Sequence, residues 1–244
     1  MQIRNRVALV TGSAQRIGRA IALALAGKGV HVVIHYHHSA EEAKATAQAC
    51  RRLGVGVLVA RADLAKAREV DRLFRQVLRK FRRLDILVNN AALFPKTPFL
   101  KCKEAEWDRV LDTNLKGSFL CAQRAAKIML QKGSGKIVNI ADWSGLRPYV
   151  GYLPYCVSKG GVITLTKALA LEVAPKIQVA CIAPGPILLP KNYTKKEAKE
   201  VKGKVPLKRI GSPEDIARTV LFLLEGTDFI TGSTILVDGG EFIA

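Results

Sequence analysis

The chain has 244 residues, of which 49% are hydrophobic and 24% charged, the balance of one sizeable globular domain and not of a disordered or fibrous chain. No apolar run reaches the ~18 residues that a membrane helix needs, and Met1 to Arg6 leads into a strand-like segment with no signal-peptide layout, so a cytoplasmic protein free of membranes is expected. The formal charge of +19 suits anionic partners, but basic pairs such as Arg51-Arg52 and Lys195-Lys196 are scattered and lack interleaved aromatics, which argues against nucleic acid.

Strand-like and helical patterns alternate along the whole chain. Val7 to Val10 predicts a buried strand, Ile17 to Lys28 a helix, Val32 to Ile34 a strand and Ala40 to Leu53 a helix. Val55 to Val59, Lys66 to Phe81 and Ile86 to Val88 continue as strand, helix and strand. Helices follow over Glu104 to Gln131, with a break near Leu115-Lys116-Gly117, then a strand over Lys136 to Ile140 and a long helix over Tyr152 to Ala174. Ile177 to Ile182, Pro213 to Leu224 and Thr234 to Val237 close the series as strand, helix and strand. Strands that are apolar throughout, each followed by a helix, indicate a parallel sheet covered on both faces. The expected architecture is one doubly wound α/β domain over residues 1–244, without linker or repeat. Residues 184–208 read as a long irregular loop after a strand end, the place where such sheets bind ligands.

Two stretches carry chemistry. Thr11-Gly12-Ser13-Ala14-Gln15-Arg16-Ile17-Gly18 joins the first strand to the first helix. A glycine turn at a helix N-terminus suits a dinucleotide's phosphates, with Gly12, Arg16, Ile17 and Gly18 as contacts. Arg16 stands where a third glycine is common. The second strand ends in His35-Tyr36-His37-His38-Ser39, with no acidic residue to hold a ribose 2′-hydroxyl. Arg16, His37, His38 and Ser39 would donate hydrogen bonds to a 2′-phosphate, which favours NADPH over NADH. The four histidines lack cysteine or carboxylate company, so no metal is expected. Asp63-Leu64 reads equally as an adenine contact or a helix cap. Asn90 and Ala91 sit at the ligand edge after the fourth strand. Farther on, Tyr155 and Lys159 are four apart on one helix face, and an ammonium beside a phenol is expected to lower its pKa from ~10. The five cysteines are scattered and read as free thiols.

Thr-Gly-x3-(Gly)-x-Gly, Asn-Asn-Ala, Asn114, Tyr-x3-Lys, Pro184-Gly185 and the ending Ile230-Thr231-Gly232…Val237-Asp238-Gly239-Gly240 occur together in this order. The chain resembles the short-chain dehydrogenase/reductase family over essentially its whole length. The resemblance implies a seven-stranded Rossmann-type sheet, a nicotinamide cofactor and a homotetramer. It implies that Asn114, Tyr155 and Lys159 form a proton relay, with Asn114 holding a water and Lys159 the nicotinamide ribose. Pro184 and Gly185 join the cofactor contacts on the same grounds. Asp142 stands where the family has a serine.

That aspartate, with Arg16, His35-Tyr36-His37, Phe94, and Pro148, Gly151, Tyr152 and Tyr155, is similar to the pteridine reductase branch. On that resemblance the expected activity is NADPH-dependent reduction of a dihydropterin or dihydrofolate C=N bond. Tyr155, Lys159 and Asp142 would relay the proton, and Phe94 and Tyr152 would hold the ring. Trp143 and Leu188 join the pocket by position. Two other readings stand beside it. One is a carbonyl reductase of 3-oxoacyl thioesters, whose acidic carrier the basic surface could recruit. The other is a cofactor- or nucleic-acid-binding module without chemistry.

Overall fold

The valine- and isoleucine-rich runs form seven short strands, as β-branched side chains favour on a pleated, buried surface. They are β1 (Val7–Val10), β2 (His31–Tyr36), β3 (Val57–Arg61), β4 (Ile86–Asn89), β5 (Gly135–Ile140), β6 (Ile177–Pro184) and β7 (Thr234–Val237). The structure is a computed structural model that describes residues 1–189 and 194–244. All strand pairs are parallel, in the order β3-β2-β1-β4-β5-β6-β7. Side chains alternate between two cores. Ala8, Val10, Ile34, Val88, Val138 and Ile182 pack on one face against α1 (Arg16–Gly27), α2 (Ala40–Arg52) and α8 (Pro213–Glu225). Val7, Leu9, Val33, Leu87, Ile137 and Val179 pack on the other against α3 (Ala67–Phe81), α5 (Gly117–Lys132) and α6 (Leu153–Val173). The seven-stranded doubly wound sheet expected from the sequence is present.

Two elements differ from expectation. The stretch read as irregular after residue 184 contains α7 (Lys195–Lys204). Thr194 caps it: its hydroxyl accepts from the Glu197 N–H while the Glu197 carboxylate accepts from the Thr194 N–H. Residues 190–193 of that expected loop lie outside the described residues. The break foreseen near residue 115 is a π-helical turn over Asp112–Lys116, linking α4 (Glu104–Leu111) to α5. No helix among the described residues is long and apolar enough to cross a membrane.

All strand C-termini point to one edge, and the order reverses between β1 and β4, which opens a crevice there. A buried carboxylate sets that junction. Asp85, just before β4, accepts the Val7 N–H at 2.9 Å and takes Arg83 at 2.6 and 2.8 Å. Arg6 adds a 3.3 Å contact. Removing the carboxylate leaves the Val7 N–H unsatisfied and the partly exposed Arg83 and Arg6 without their partner. Asp85→Ala is expected to lower the unfolding free energy by about 2 kcal/mol, read as a lower urea midpoint with an unchanged slope.

Candidate active site

The glycine turn follows β1. Gly12 has φ +63°, the left-handed region that favours glycine, and a Cβ there would lie 2.9 Å from the Ala91 Cα. A Cβ on Gly18 would collide with the Gly12 carbonyl. Asn90 holds the turn from the side: its amide donates to the Thr11 and Gly12 carbonyls at 2.9 and 3.2 Å. Thr11 Oγ1 in turn accepts the Asn90 and Ala91 N–H groups. Backbone can therefore approach phosphate closely here, ahead of the α1 N-terminus.

His35, which the sequence reading left without a role, is the inner support of this turn. Its Nδ1 accepts the Gly12 N–H at 3.0 Å and its Nε2 meets the Ala62 carbonyl at 3.1 Å. The ring must be the neutral Nε2–H tautomer to satisfy both partners. Burial lowers its pKa from 6.5 to about 4. No sequence pattern signals this, because its partners lie 23 and 27 residues away.

His37, His38 and Ser39 sit at the β2 tip with no carboxylate among them, and the two imidazoles are 3.8 Å apart between centroids. Burial, then the neighbouring His38, lowers the His37 pKa. Asp63 is not the cap of α3, whose N-cap is Lys66; its carboxylate accepts the Ala65 N–H and pairs with Lys66 at 3.4 Å. Leu188 lies with Arg16, Arg19, Leu189 and Pro213 around a cavity of about 390 Å³. Its described surroundings are at this cofactor end. Among the described residues no group of His, Cys, Asp and Glu could hold a metal ion.

The reactive groups converge where β5 meets α6. Asp142 follows β5 and caps a short turn, its Oδ1 accepting the Ser144 N–H at 2.8 Å. Its Oδ2 accepts the Tyr155 hydroxyl at 3.0 Å. The turn lies directly on α6, since a Cβ on Gly145 would stand 2.7 Å from the Lys159 carbonyl carbon. Gly145 is therefore a positioning residue that the sequence reading overlooked. Lys159 is buried, donates to the Ile140 carbonyl at 2.8 Å and lies 5.6 Å from the Tyr155 ring centroid.

The electrostatics correct one expectation. The phenol was expected to be lowered by Lys159; instead burial, then the negative charge of Asp142, pushes Tyr155 well above 10. Burial lowers Lys159 against the pull of Asp142. Burial likewise raises Asp142, which its hydrogen bonds and Lys159 only partly offset. Tyr155 is thus a neutral acid at pH 7, the state that can give a proton to an oxygen as it is reduced.

The side chain of Asn114, in the π-helical turn, bonds to neighbouring protein groups. Its Oδ1 accepts the Leu93 N–H at 2.7 Å, and its amide donates to the Leu93 carbonyl and Ser158 Oγ, both at 3.0 Å. It fastens the segment that carries Phe94. That ring stacks on Tyr152 (4.4 Å, 8°) and meets Tyr155 edge-on at 4.6 Å. Trp143 joins through Tyr149 at 5.9 Å. Phe94, Tyr152, Trp143, Asp142 and Tyr155 are therefore brought together.

A family model described as enoyl-(acyl carrier protein) reductase matches residues 12–241. The chain belongs to the short-chain dehydrogenase/reductase family. It is an oxidoreductase of that family, whose redox partner is NADH or NADPH. A 3-oxoacyl-[acyl-carrier-protein] reductase of Staphylococcus epidermidis is 40% identical over 98% of this chain and 100% of its own. A (2S)-[(R)-hydroxy(phenyl)methyl]succinyl-CoA dehydrogenase subunit of Thauera aromatica is 40% identical over 99% of this chain and 98% of its own. The crystal structure of an acetoin dehydrogenase from Enterobacter cloacae has a TM-score of 0.91 at 32% identity, covering 98% of this chain and 96% of the other.

These relatives overturn the pteridine reductase assignment. Identity at that level over the whole length with a 3-oxoacyl reductase outweighs a handful of short motifs. Two residues that carried the assignment also have local work that implies no pterin: Asp142 caps the Ser144 turn, and Phe94 packs on Tyr152.

The His35 geometry predicts a pH dependence. The unfolded chain takes up a proton near pH 6.5, whereas the folded chain resists it until about pH 4. The contribution to stability is complete above 6.5 and falls as pH drops through that window, by up to about 1.4 kcal/mol per pH unit. Urea unfolding between pH 4 and 7 should show this slope in the native protein and lose about one proton's worth of it in His35→Gln.

Proposed function

We propose that this protein reduces the 3-keto group of 3-oxoacyl thioesters with NADPH. The carrying observation is the 40% identity to a 3-oxoacyl reductase, covering all of that relative. The relative from Thauera, named for a hydroxyacyl-CoA, supports the thioester class independently. The net charge of +19 favours the anionic handle of such substrates, whether coenzyme A phosphates or an acidic carrier protein.

The residues present fit the dinucleotide. A Cβ on Gly12 would crowd Ala91 and one on Gly18 would strike the Gly12 carbonyl, so glycine alone keeps the turn tight ahead of the α1 N-terminus, and Arg16, His37, His38 and Ser39 supply donors. On this reading Gly12, Arg16, Ile17 and Gly18 hold the phosphates and Lys159 the nicotinamide ribose. The bound cofactor supplies the hydride that reaches C3 of the substrate. Tyr155 gives its hydroxyl proton to the keto oxygen, completing the alcohol. Asp142, bonded to the Tyr155 hydroxyl through Oδ2 and made a weaker acid by burial, stands where it can return a proton to the Tyr155 oxygen. A protonated carboxyl there would be a neutral donor to the substrate oxygen, the role of the serine usual at this position.

NADPH oxidation with acetoacetyl-CoA tests the reading; absence of turnover with any 3-oxoacyl thioester would overturn it. Tyr155→Phe should lower kcat by about 10³. Asp142→Ala should lower it by about 10², and Asp142→Ser should recover most of the loss. The native rate should fall as pH rises through the raised Asp142 pKa, a limb absent in Asp142→Ser. NADPH should bind more tightly than NADH, and Arg16→Ala should reduce that preference by about tenfold, measured by fluorescence titration. Protonation of His37 below its lowered pKa should widen the preference as pH falls.

A further inference from the structure

Five of the chain's fifteen Trp, Tyr and Phe residues form one continuous cluster at the reaction site: Phe94, Trp143, Tyr149, Tyr152 and Tyr155. A straight acyl chain would be served by aliphatic walls and has no use for flat faces. Phe94 is the outward member, with 47% of its surface exposed. One face is backed by Tyr152 in parallel contact, and the Tyr155 ring abuts it edge-on. Nearly half of the residue stays accessible.

The ring is also held in place. Asn114 grips the backbone of Leu93 from both its N–H and its carbonyl. Three residues past Phe94, Thr97 is buried, donates its N–H to the Gly151 carbonyl at 2.7 Å and bridges to Tyr152. A segment fastened at both ends presents a fixed aromatic face, which lowers the cost of ordering it around a ligand. That face adjoins the phenol whose hydroxyl must meet the substrate oxygen. A group attached directly to the reduced carbon therefore falls beside Phe94.

We propose that the preferred substrate carries a flat aromatic ring on the carbon being reduced, a 3-aryl-3-oxoacyl thioester, with the ring packed on the accessible part of Phe94. The inference rests on the thioester reading above and specifies its acyl group. Offset stacking rewards a π face beyond the area it buries, so a saturated ring of equal bulk gains less.

The test compares three coenzyme A thioesters with NADPH: 3-oxo-3-phenylpropanoyl, 3-cyclohexyl-3-oxopropanoyl and acetoacetyl. The expected kcat/KM for the phenyl compound exceeds both others by about tenfold. In Phe94→Leu, and independently in Tyr152→Leu, that ratio should collapse to within about threefold, with folding checked by thermal melting. Equal rates for phenyl and cyclohexyl, a ratio that survives both substitutions, or faster acetoacetyl turnover would each overturn the aryl inference and leave the thioester reading standing. Reduction of 1-phenyl-1,2-propanedione with no turnover of any thioester would overturn the thioester reading, and this inference with it.

Discussion

The hydrogen bond from the Tyr155 hydroxyl to the Asp142 carboxylate, 3.0 Å long and partly buried, governs how the site can work. In water a carboxylate would be ionised and a phenol neutral, and the pair would be unremarkable chemistry. Burial changes both. It raises the carboxyl, and each negative charge in the cluster opposes the next, so the phenol keeps its proton far above neutral pH. Lys159 is the cation that acts on Asp142 among the described residues, yet it is itself buried and bonded to the Ile140 carbonyl. The three groups titrate as one coupled unit. In the absence of other charge, that unit stores protons, which suits the reductive direction.

The geometry that maintains this unit is mostly backbone. Asp142 is aimed by capping Ser144, and the cap lies against α6 because Gly145 has no side chain to hold the two apart. A chain of buried polar groups continues inward: Asn89 donates to Asn139, and Asn139 to Thr166 on α6. These bonds tie β4, β5 and α6 together beneath the reactive groups. At the other end of the crevice His35 performs a comparable task for the glycine turn, spanning β2 between Gly12 and Ala62. Both halves of the site are therefore set by groups that touch no substrate, which is how a rigid scaffold keeps reacting atoms aligned.

The fold was legible because parallel strands buried on both faces must be apolar at every position, a pattern that survives in one sequence without any partner information. Val7-Ala8-Leu9-Val10 and Ile86-Leu87-Val88 announce themselves in this way. α7 escaped notice although Thr194 and Glu197 form a capping box, since its described side chains bury almost nothing and its sequence shows no apolar periodicity. The pairing of Tyr155 with Lys159 was legible through its spacing, and Asp142 through the family resemblance. The supports were not: His35, Gly145 and the grip of Asn114 on Leu93 act across 14 to 27 residues or more, and only the folded chain reveals which backbone they meet.

The substrate expectation rested on short motifs around Asp142. An ionised aspartate would be an acceptor for a ring N–H, which suits a nitrogen heterocycle. An ionised carboxylate would indeed repel the oxygen of a ketone as it gains charge. In the folded chain burial raises the carboxyl above its usual range, and a protonated carboxyl would be a donor, equivalent in hydrogen-bonding sense to the serine it replaces. Protonation is a property of the surroundings and not of the residue type alone. The whole-length similarity to 3-oxoacyl reductases therefore weighs more than the residue type at position 142.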